Sequence, residues 1–156
     1  MKLLRMDVGT MQKQAECLAN RSRQHRHDTK QDIKLDKKLI ETWIELQKCR
    51  RAGGECDDLF WAYIELDKLV SNEPNKALDI IGNIINVDDS DVVAENLAAG
   101  PLEDLLVRHG ESILDSIIDL SKKDIKFYSL LGGVWENTID KDVWDKIQKT
   151  VGTDLW

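Results

Sequence analysis

The chain has 156 residues, of which 42% are hydrophobic and 33% charged, and its formal net charge is -7 at pH 7. This length suits one domain with a sizeable core, and the composition excludes a disordered chain. No apolar run is long enough to span a bilayer, and none near the N-terminus suggests a signal peptide, so we expect a cytoplasmic protein without a membrane partner.

The charges are divided unevenly along the chain. Residues 1–40 hold ten Lys and Arg against five Asp and Glu, whereas residues 41–156 hold twelve against twenty-four. An acidic surface repels nucleic acid and attracts a basic protein. We therefore expect a basic protein as the partner, and nucleic-acid contact only through the basic segment 21–38.

The first part of the chain is polar and basic. Residues 1–34 contain too few regularly spaced apolar positions for a core face, so they are predicted to form a partly flexible arm, within which Met6–Leu18 is compatible with a loose helix. Residues 35–156 are predicted to form a single all-helical domain. Its first firm helix is Leu35–Arg51, with basic residues in the last turn.

Further helices follow at short intervals, and their capping residues mark the boundaries. The helix Leu59–Ser71 is apolar on most sides, which predicts a central position. The next predicted helix begins at Pro74, and a short helix follows Asp88-Asp89-Ser90 and ends at Gly100. The remaining predicted helices are Pro101–Gly110, Ile113–Lys123, a helix capped by Asp124 and a helix capped by Asp140.

Taken in pairs, these segments are typical of helical hairpins joined by short loops. The predicted fold is therefore all-α. The first architecture is a short stack of antiparallel hairpins, like a HEAT α-solenoid, and the alternative is a closed helical bundle.

Aromatic residues and cysteines are interpreted structurally. Four tryptophans lie on apolar stripes and are predicted to be mainly core residues: Trp43, Trp61, Trp135 and Trp144. The alternative for one of them is a position at a groove edge, where it would anchor a partner. Cys17, Cys49 and Cys56 are odd in number and match no metal-binding spacing, so they are predicted to be reduced thiols. The sequence indicates no metal and no cofactor.

The stretch Gly100–Gly110 contains the best candidate site. Pro101 suits a first helical position and Gly110 a left-handed helix end. Between them lie Glu103 and Asp104 in the first turn, and Arg108 and His109 in the last.

These four charged or polar side chains allow three interpretations. They are an ion-pair and capping cluster that includes an Asp104–Arg108 pair, a binding patch, or a general acid–base pair. No nucleophile, phosphate loop or metal set accompanies them, so no catalytic residue is assigned and an enzyme is disfavoured.

A second candidate is an acidic set in the first half of the helical domain. It is either a solvated face or a surface that binds a basic partner. Calcium binding is not expected, because Asp88-Asp89-Ser90-Asp91 lacks the full ligand series and the glycine of a calcium loop. The candidate binding residues in this set are Asp57, Asp58, Asp88, Asp89 and Asp91. The set also includes Glu65, Asp67, Glu73, Asp79 and Glu95.

Four pieces of the chain resemble an uncharacterised bacterial family that is known as a domain of unknown function. The most specific piece is Gly100–Gly110, which fits the pattern G-P-L-E-D-L-L-x-x-H-G. The others are Trp43, the Trp61-Ala62 helix with its Glu73-Pro74 turn, and Val134-Trp135. The resemblance covers roughly residues 42–150 and implies an all-α bacterial protein, without any activity.

Together, these features predict a small acidic module that binds another protein. The preferred form is an inhibitor or immunity-type protein that occludes a basic partner such as a toxin. One alternative is a phage or plasmid anti-defence protein. The other is an enzyme or ligand-binding domain centred on Glu103, Asp104, Arg108 and His109.

Overall fold

The computed structural model describes the backbone of residues 8–152 and the side chains of residues 29–152. Within this range the chain is all-α, as predicted, and has no strand. The chain divides into two compact units, one ending at Lys37 and one beginning at Lys38. The predicted arm lies largely outside the described side chains, so its flexibility stays a prediction.

The helices differ from the predicted ones mainly at their ends. A 3-10 turn, Asp57–Leu59, precedes α2, and a π-helical turn, Ala98–Leu102, joins α4 to α5. The α-helices are α1 (Val8–Arg51), α2 (Trp61–Asn72), α3 (Pro74–Val87), α4 (Asp91–Leu97), α5 (Glu103–Lys123), α6 (Ile125–Gly132) and α7 (Lys141–Val151).

Helix α1 begins far upstream of the predicted start at Leu35. The prediction relied on an apolar stripe, which the segment before Leu35 lacks. That segment is nevertheless rich in Gln, Lys and Arg and contains no proline, and such residues favour a helix without a core face. Among the described side chains of α1, the buried apolar residues begin at Leu39, and Trp43 and Leu46 are fully buried.

The centre of the core lies at α3 and α5 rather than at α2. Helix α5 contacts α2, α3, α6 and α7. Helix α3 buries half of its residues, whereas α2 buries only one face, formed by Ala62, Leu66, Leu69 and Val70. The predicted central position of the second helix is therefore wrong, because its aromatic residues lie on the exposed face.

The segment Asp91–Lys123 is continuously helical, so the predicted break at Gly100 is wrong. Pro101 lies inside the π-helical turn rather than at a helix start. Proline cannot donate the regular backbone hydrogen bond, and a wider turn relieves the clash of its ring with the preceding turn. The predicted hairpin Pro101–Lys122 is consequently part of one helix, and the choice between hairpin stack and bundle stays open.

Gly110 lies in the interior of α5 and does not end a helix. A Cβ atom at this position would lie 3.0 and 3.2 Å from the two γ carbons of Val143 in α7. The glycine thus permits a close approach of α5 and α7, which the local sequence cannot reveal.

The two helices that follow α5 begin as predicted. The Asp124 carboxylate accepts hydrogen bonds from the backbone N–H groups of Lys126 and Phe127, at 2.9 and 3.1 Å. The Asp140 carboxylate caps α7 in the same manner, accepting from Asp142 and Val143. Both are N-caps that satisfy otherwise unpaired donors.

Cys49 and Cys56 form a disulfide, with their α carbons 6.1 Å apart. The prediction of reduced thiols is therefore wrong for this pair. Gly53, which has a φ of 72°, turns the chain back after the end of α1 and brings Cys56 to Cys49. Cys17 lies outside the described side chains.

Candidate functional site

Arg108 and His109 attach α5 to α2. The guanidinium of Arg108 lies 3.3 Å from the Asp67 carboxylate and donates to the Ser71 hydroxyl. His109 Nε2 lies 3.2 Å from the backbone carbonyl oxygen of Ser71. Arg108 thus pairs across the helix interface, and the predicted pair with Asp104 is replaced by this one.

Glu103 is oriented toward a different neighbour. Its carboxylate accepts a hydrogen bond of 2.7 Å from the side-chain amide of Asn137, in the loop between α6 and α7. Asp104 borders a cleft between α2 and the π-helical turn whose volume is about 20 Å³. Such a cleft holds about one water molecule and no larger ligand.

The 103–109 cluster therefore faces two parts of the protein, because the cleft beside Asp104 is also lined by Asp67 of α2, which Arg108 binds. Glu103 contacts a loop, Asp104 a small cleft, and Arg108 and His109 the end of α2. Acid–base chemistry needs groups that converge on one reacting atom. The contacts favour the structural interpretation of this cluster, in which it fixes α5 to its neighbours.

Two of the acidic candidates form ion pairs within the protein. Asp88 pairs with the Lys48 ammonium and accepts from the backbone N–H of Ser90 at 3.0 Å. These contacts, the lysine first, lower the pKa of Asp88 from 3.8 to about 2. Asp89 lies 3.1 Å from the ammonium of Lys126.

The other three acidic candidates are exposed, and they lie on two separate elements. Asp57 and Asp58 form the 3-10 turn directly before Phe60, whereas Asp91 lies in the first turn of α4. The acidic candidates therefore lie on separate elements and do not form one continuous acidic surface. Among these five candidates, only Asp57 and Asp58 lie within three residues of an exposed aromatic residue, Phe60.

The most distinctive surface was not predicted from the sequence. Four large apolar side chains at the start of α2 are each 38–43% exposed. We call them the α2 aromatic surface: Phe60, Trp61, Tyr63 and Ile64. The rings of Phe60 and Tyr63 stack, with centroids 5.4 Å apart and an angle of 14° between their planes.

Two cations from α1 cover these rings. The Arg50 guanidinium carbon lies 5.4 Å from the Phe60 centroid and 5.6 Å from that of Tyr63. The Lys38 ammonium lies 5.5 Å from the Trp61 centroid. These are cation–π distances, so the ring faces on α2 already bind positive charge.

The spacing of the apolar residues in α2 could have predicted which of them are exposed. Ala62, Leu66, Leu69 and Val70 follow a three-to-four residue period, and they are the buried members. A helix needs only one such stripe for the core. The apolar residues between those positions were therefore candidates for exposure, although their hydrophobicity indicated burial.

Neither a metal-binding cluster nor a membrane span is found in the described part of the chain. Among the described side chains, no group of three or more His, Cys, Asp or Glu residues could hold a metal ion. Within residues 8–152, no helix combines the length and apolar character that a membrane span requires.

The fold and this surface define an all-α protein with an exposed aromatic face on one helix. The chain belongs to a family of unknown function, DUF6869, whose model matches residues 50–154. This assignment confirms the resemblance to an uncharacterised family, while the motif and the bacterial origin stay predictions. Neither a curated protein nor a solved structure matches the chain.

Proposed function

We propose that this chain is a protein-binding module and that the α2 aromatic surface contacts its partner. The observation that supports this proposal is the joint exposure of Phe60, Trp61, Tyr63 and Ile64 on one helix end. Apolar residues exposed together mark interaction sites, and Trp and Tyr are enriched among the residues that dominate binding energy.

A basic partner fits the charge of the molecule. The net charge is -7, and two exposed carboxylates, Asp57 and Asp58, lie three and two residues before Phe60, the first of the aromatic residues. Carboxylates at the rim accelerate association with a basic protein, while aromatic residues at the centre provide affinity.

The mechanism we favour is occlusion. The module covers a functional surface of the basic partner, as an inhibitor or an immunity-type protein does with a toxin. A phage or plasmid anti-defence protein would use the same contacts with another partner. A ligand-binding domain or enzyme centred on Glu103, Asp104, Arg108 and His109 has less support, because Glu103 binds the loop between α6 and α7, whereas Arg108 and His109 bind the end of α2.

The proposal is tested by capture of the partner from the native host. The bait is the full chain, compared with the double variant Trp61→Ala/Tyr63→Ala. The matched control is Trp135→Ala, since Trp135 is 65% exposed but lies outside the α2 aromatic surface. We expect the double variant to lose the partner by roughly thirtyfold, corresponding to about 2 kcal/mol, and the control to retain it.

Two results would contradict the proposal. One is a partner that binds the double variant as tightly as the unaltered chain. The other is a partner with a net negative charge whose binding strengthens as salt is added, because attraction to an acidic module must weaken with salt.

A further inference from the structure

The Cys49–Cys56 disulfide lies beside the α2 aromatic surface. Cys49 is in the last turns of α1, and Cys56 directly precedes the 3-10 turn Asp57–Leu59. Both cysteines are half-buried, whereas every residue between them is exposed. A reductant can therefore approach the bond from solvent.

The disulfide closes the loop that positions the first aromatic residue. The Leu59 N–H donates to the Cys56 carbonyl at 3.0 Å, and the Phe60 N–H donates to the Asp57 carbonyl at 3.2 Å. These hydrogen bonds form the turn from which Phe60 projects. The position of Cys56, which the covalent bond fixes, thus determines where the turn begins.

The same loop carries the cation that covers the stacked rings. Arg50 follows Cys49 directly, and its guanidinium lies over both Phe60 and Tyr63. The bond therefore holds the cation on one side of the loop and the turn on the other. Without the disulfide, cation–π contacts connect Arg50 to the rings, and these contacts are weaker than a covalent bond.

We infer that Cys49–Cys56 is a thiol–disulfide exchange site whose redox state controls the α2 aromatic surface. The substrate class is a dithiol reductant, either a small molecule or a protein. The exchange itself is independent of the proposed function, but its consequence for partner binding rests on that function.

The reaction is a two-electron reduction of the protein. One thiolate of the reductant attacks a sulfur atom of the pair, forms a mixed disulfide and displaces the other cysteine as a thiolate. The second thiol of the reductant then attacks the mixed disulfide and releases the remaining cysteine. Cys49 and Cys56 gain two electrons and two protons, and the reductant becomes a disulfide.

Reduction is expected to loosen the loop and the turn while leaving the rest of α2 folded. The loop residues are exposed and contribute nothing to the core, whereas α2 is held by Leu66, Leu69 and Val70. A cross-link restricts mainly the freedom of the segment that it closes. The aromatic rings and Arg50 then lose their fixed arrangement, and partner affinity falls.

Amide hydrogen exchange of the full chain tests this inference without any partner. The unaltered chain is measured oxidised and after treatment with dithiothreitol, and alkylation with mass spectrometry counts the free thiols. Cys49→Ser/Cys56→Ser represents the open loop, and Cys17→Ser is the matched cysteine control. We expect exchange at Leu59 and Phe60 to rise roughly tenfold or more in the open forms.

The amides of Leu66–Val70 provide the internal reference. They are expected to exchange alike in all forms, and Cys17→Ser is expected to match the oxidised unaltered chain. Equal exchange at Leu59 and Phe60 with the bond open and closed would overturn the inference. Faster exchange throughout α2 would also overturn it, since the bond would then support the whole fold rather than this surface.

The outcomes separate this inference from the proposed function. If exchange changes locally but the partner binds Trp61→Ala/Tyr63→Ala as tightly as the unaltered chain, the redox site stands and the proposed function fails. If Trp61→Ala/Tyr63→Ala abolishes partner binding but reduction leaves binding and exchange unchanged, the proposed function stands and the redox site is refuted.

Discussion

Asp88 contributes to stability through its ion pair with Lys48, which connects α1 to the loop after α3. The folded-state pKa is about 2, below the ordinary value of 3.8. The stabilisation is therefore complete above the ordinary pKa and is lost as the pH falls from about 4 toward 2. We expect Asp88→Asn to lower the free energy of unfolding at pH 7 by about 1–2 kcal/mol.

Urea denaturation at several pH values checks this expectation. The difference between Asp88→Asn and the unaltered chain should disappear near pH 2. Asp115→Asn is the control, because it removes the same charge from an exposed position on α5. An equal loss of stability in both variants would argue against a specific role for the Lys48 pair.

Gly110 provides a second test at the scale of single residues. We expect Gly110→Ala to destabilise the protein by about 1–2 kcal/mol, because the new methyl group presses on the buried Val143. Without this contact, alanine would instead stabilise the helix. In a double-mutant cycle, Val143→Ala should remove most of the penalty, and additive free energies would refute the contact as its cause.

Predictions for single residues succeeded where the determining contact is local. Asp124 and Asp140 were identified as caps because a carboxylate binds backbone N–H groups two and three residues further on. Trp61 and Trp135 were predicted to be core residues, yet they are 38% and 65% exposed. Hydrophobicity alone cannot identify which apolar residues remain in solvent.

At the scale of elements, α7 depends on its N-cap. We expect Asp140→Ala to cost about 1 kcal/mol of unfolding free energy, since two backbone donors lose their acceptor. Ser90→Ala is the matched control, because Ser90 occupies the N-cap of α4 but its side chain makes no capping hydrogen bond. Thermal denaturation followed by circular dichroism compares them, and equal losses would show that the carboxylate cap is unimportant.

The joined helices α4 and α5 show where prediction from element signals failed. Gly100, Pro101 and Gly110 are ordinary signs of helix ends. Here the proline is contained in a π-helical turn and Gly110 allows close packing, so neither ends a helix. Such outcomes depend on neighbouring helices, and the local sequence does not include them. For α1 the prediction failed in the opposite direction. The segment before Leu35 was not predicted as a firm helix because it lacks an apolar stripe, yet it is helical.

For the whole molecule, the buried residues indicate which part of the chain holds the core. Among the described side chains, the buried apolar residues begin at Leu39. We expect a chain that starts at Lys38 to remain helical and to unfold cooperatively, with a melting temperature within a few degrees of the full chain. Loss of the cooperative transition in calorimetry would show that the core depends on residues 1–37.

The all-α class was predictable because many apolar residues recur at helical spacing and loops are short. The exposure of the α2 aromatic surface was not predicted, although the overall charge was known. The acidic candidates proved to be distributed, with Asp88 and Asp89 paired to lysines of other elements. Whether a carboxylate is paired with a cation depends on contacts between segments that are distant in the sequence, and these contacts cannot be predicted from composition.

The π-helical turn also has a consequence for how this chain can change in length. Each residue of an α-helix advances the helix by about 100°, so one inserted or deleted residue between Leu97 and Leu105 would rotate α4 against α5 by that angle. Val93 and Leu97 would then leave the core. Insertions are tolerated in loops, but here they would disrupt packing. Members of this family are therefore expected to keep the number of residues in this interval constant, even where their loops differ in length.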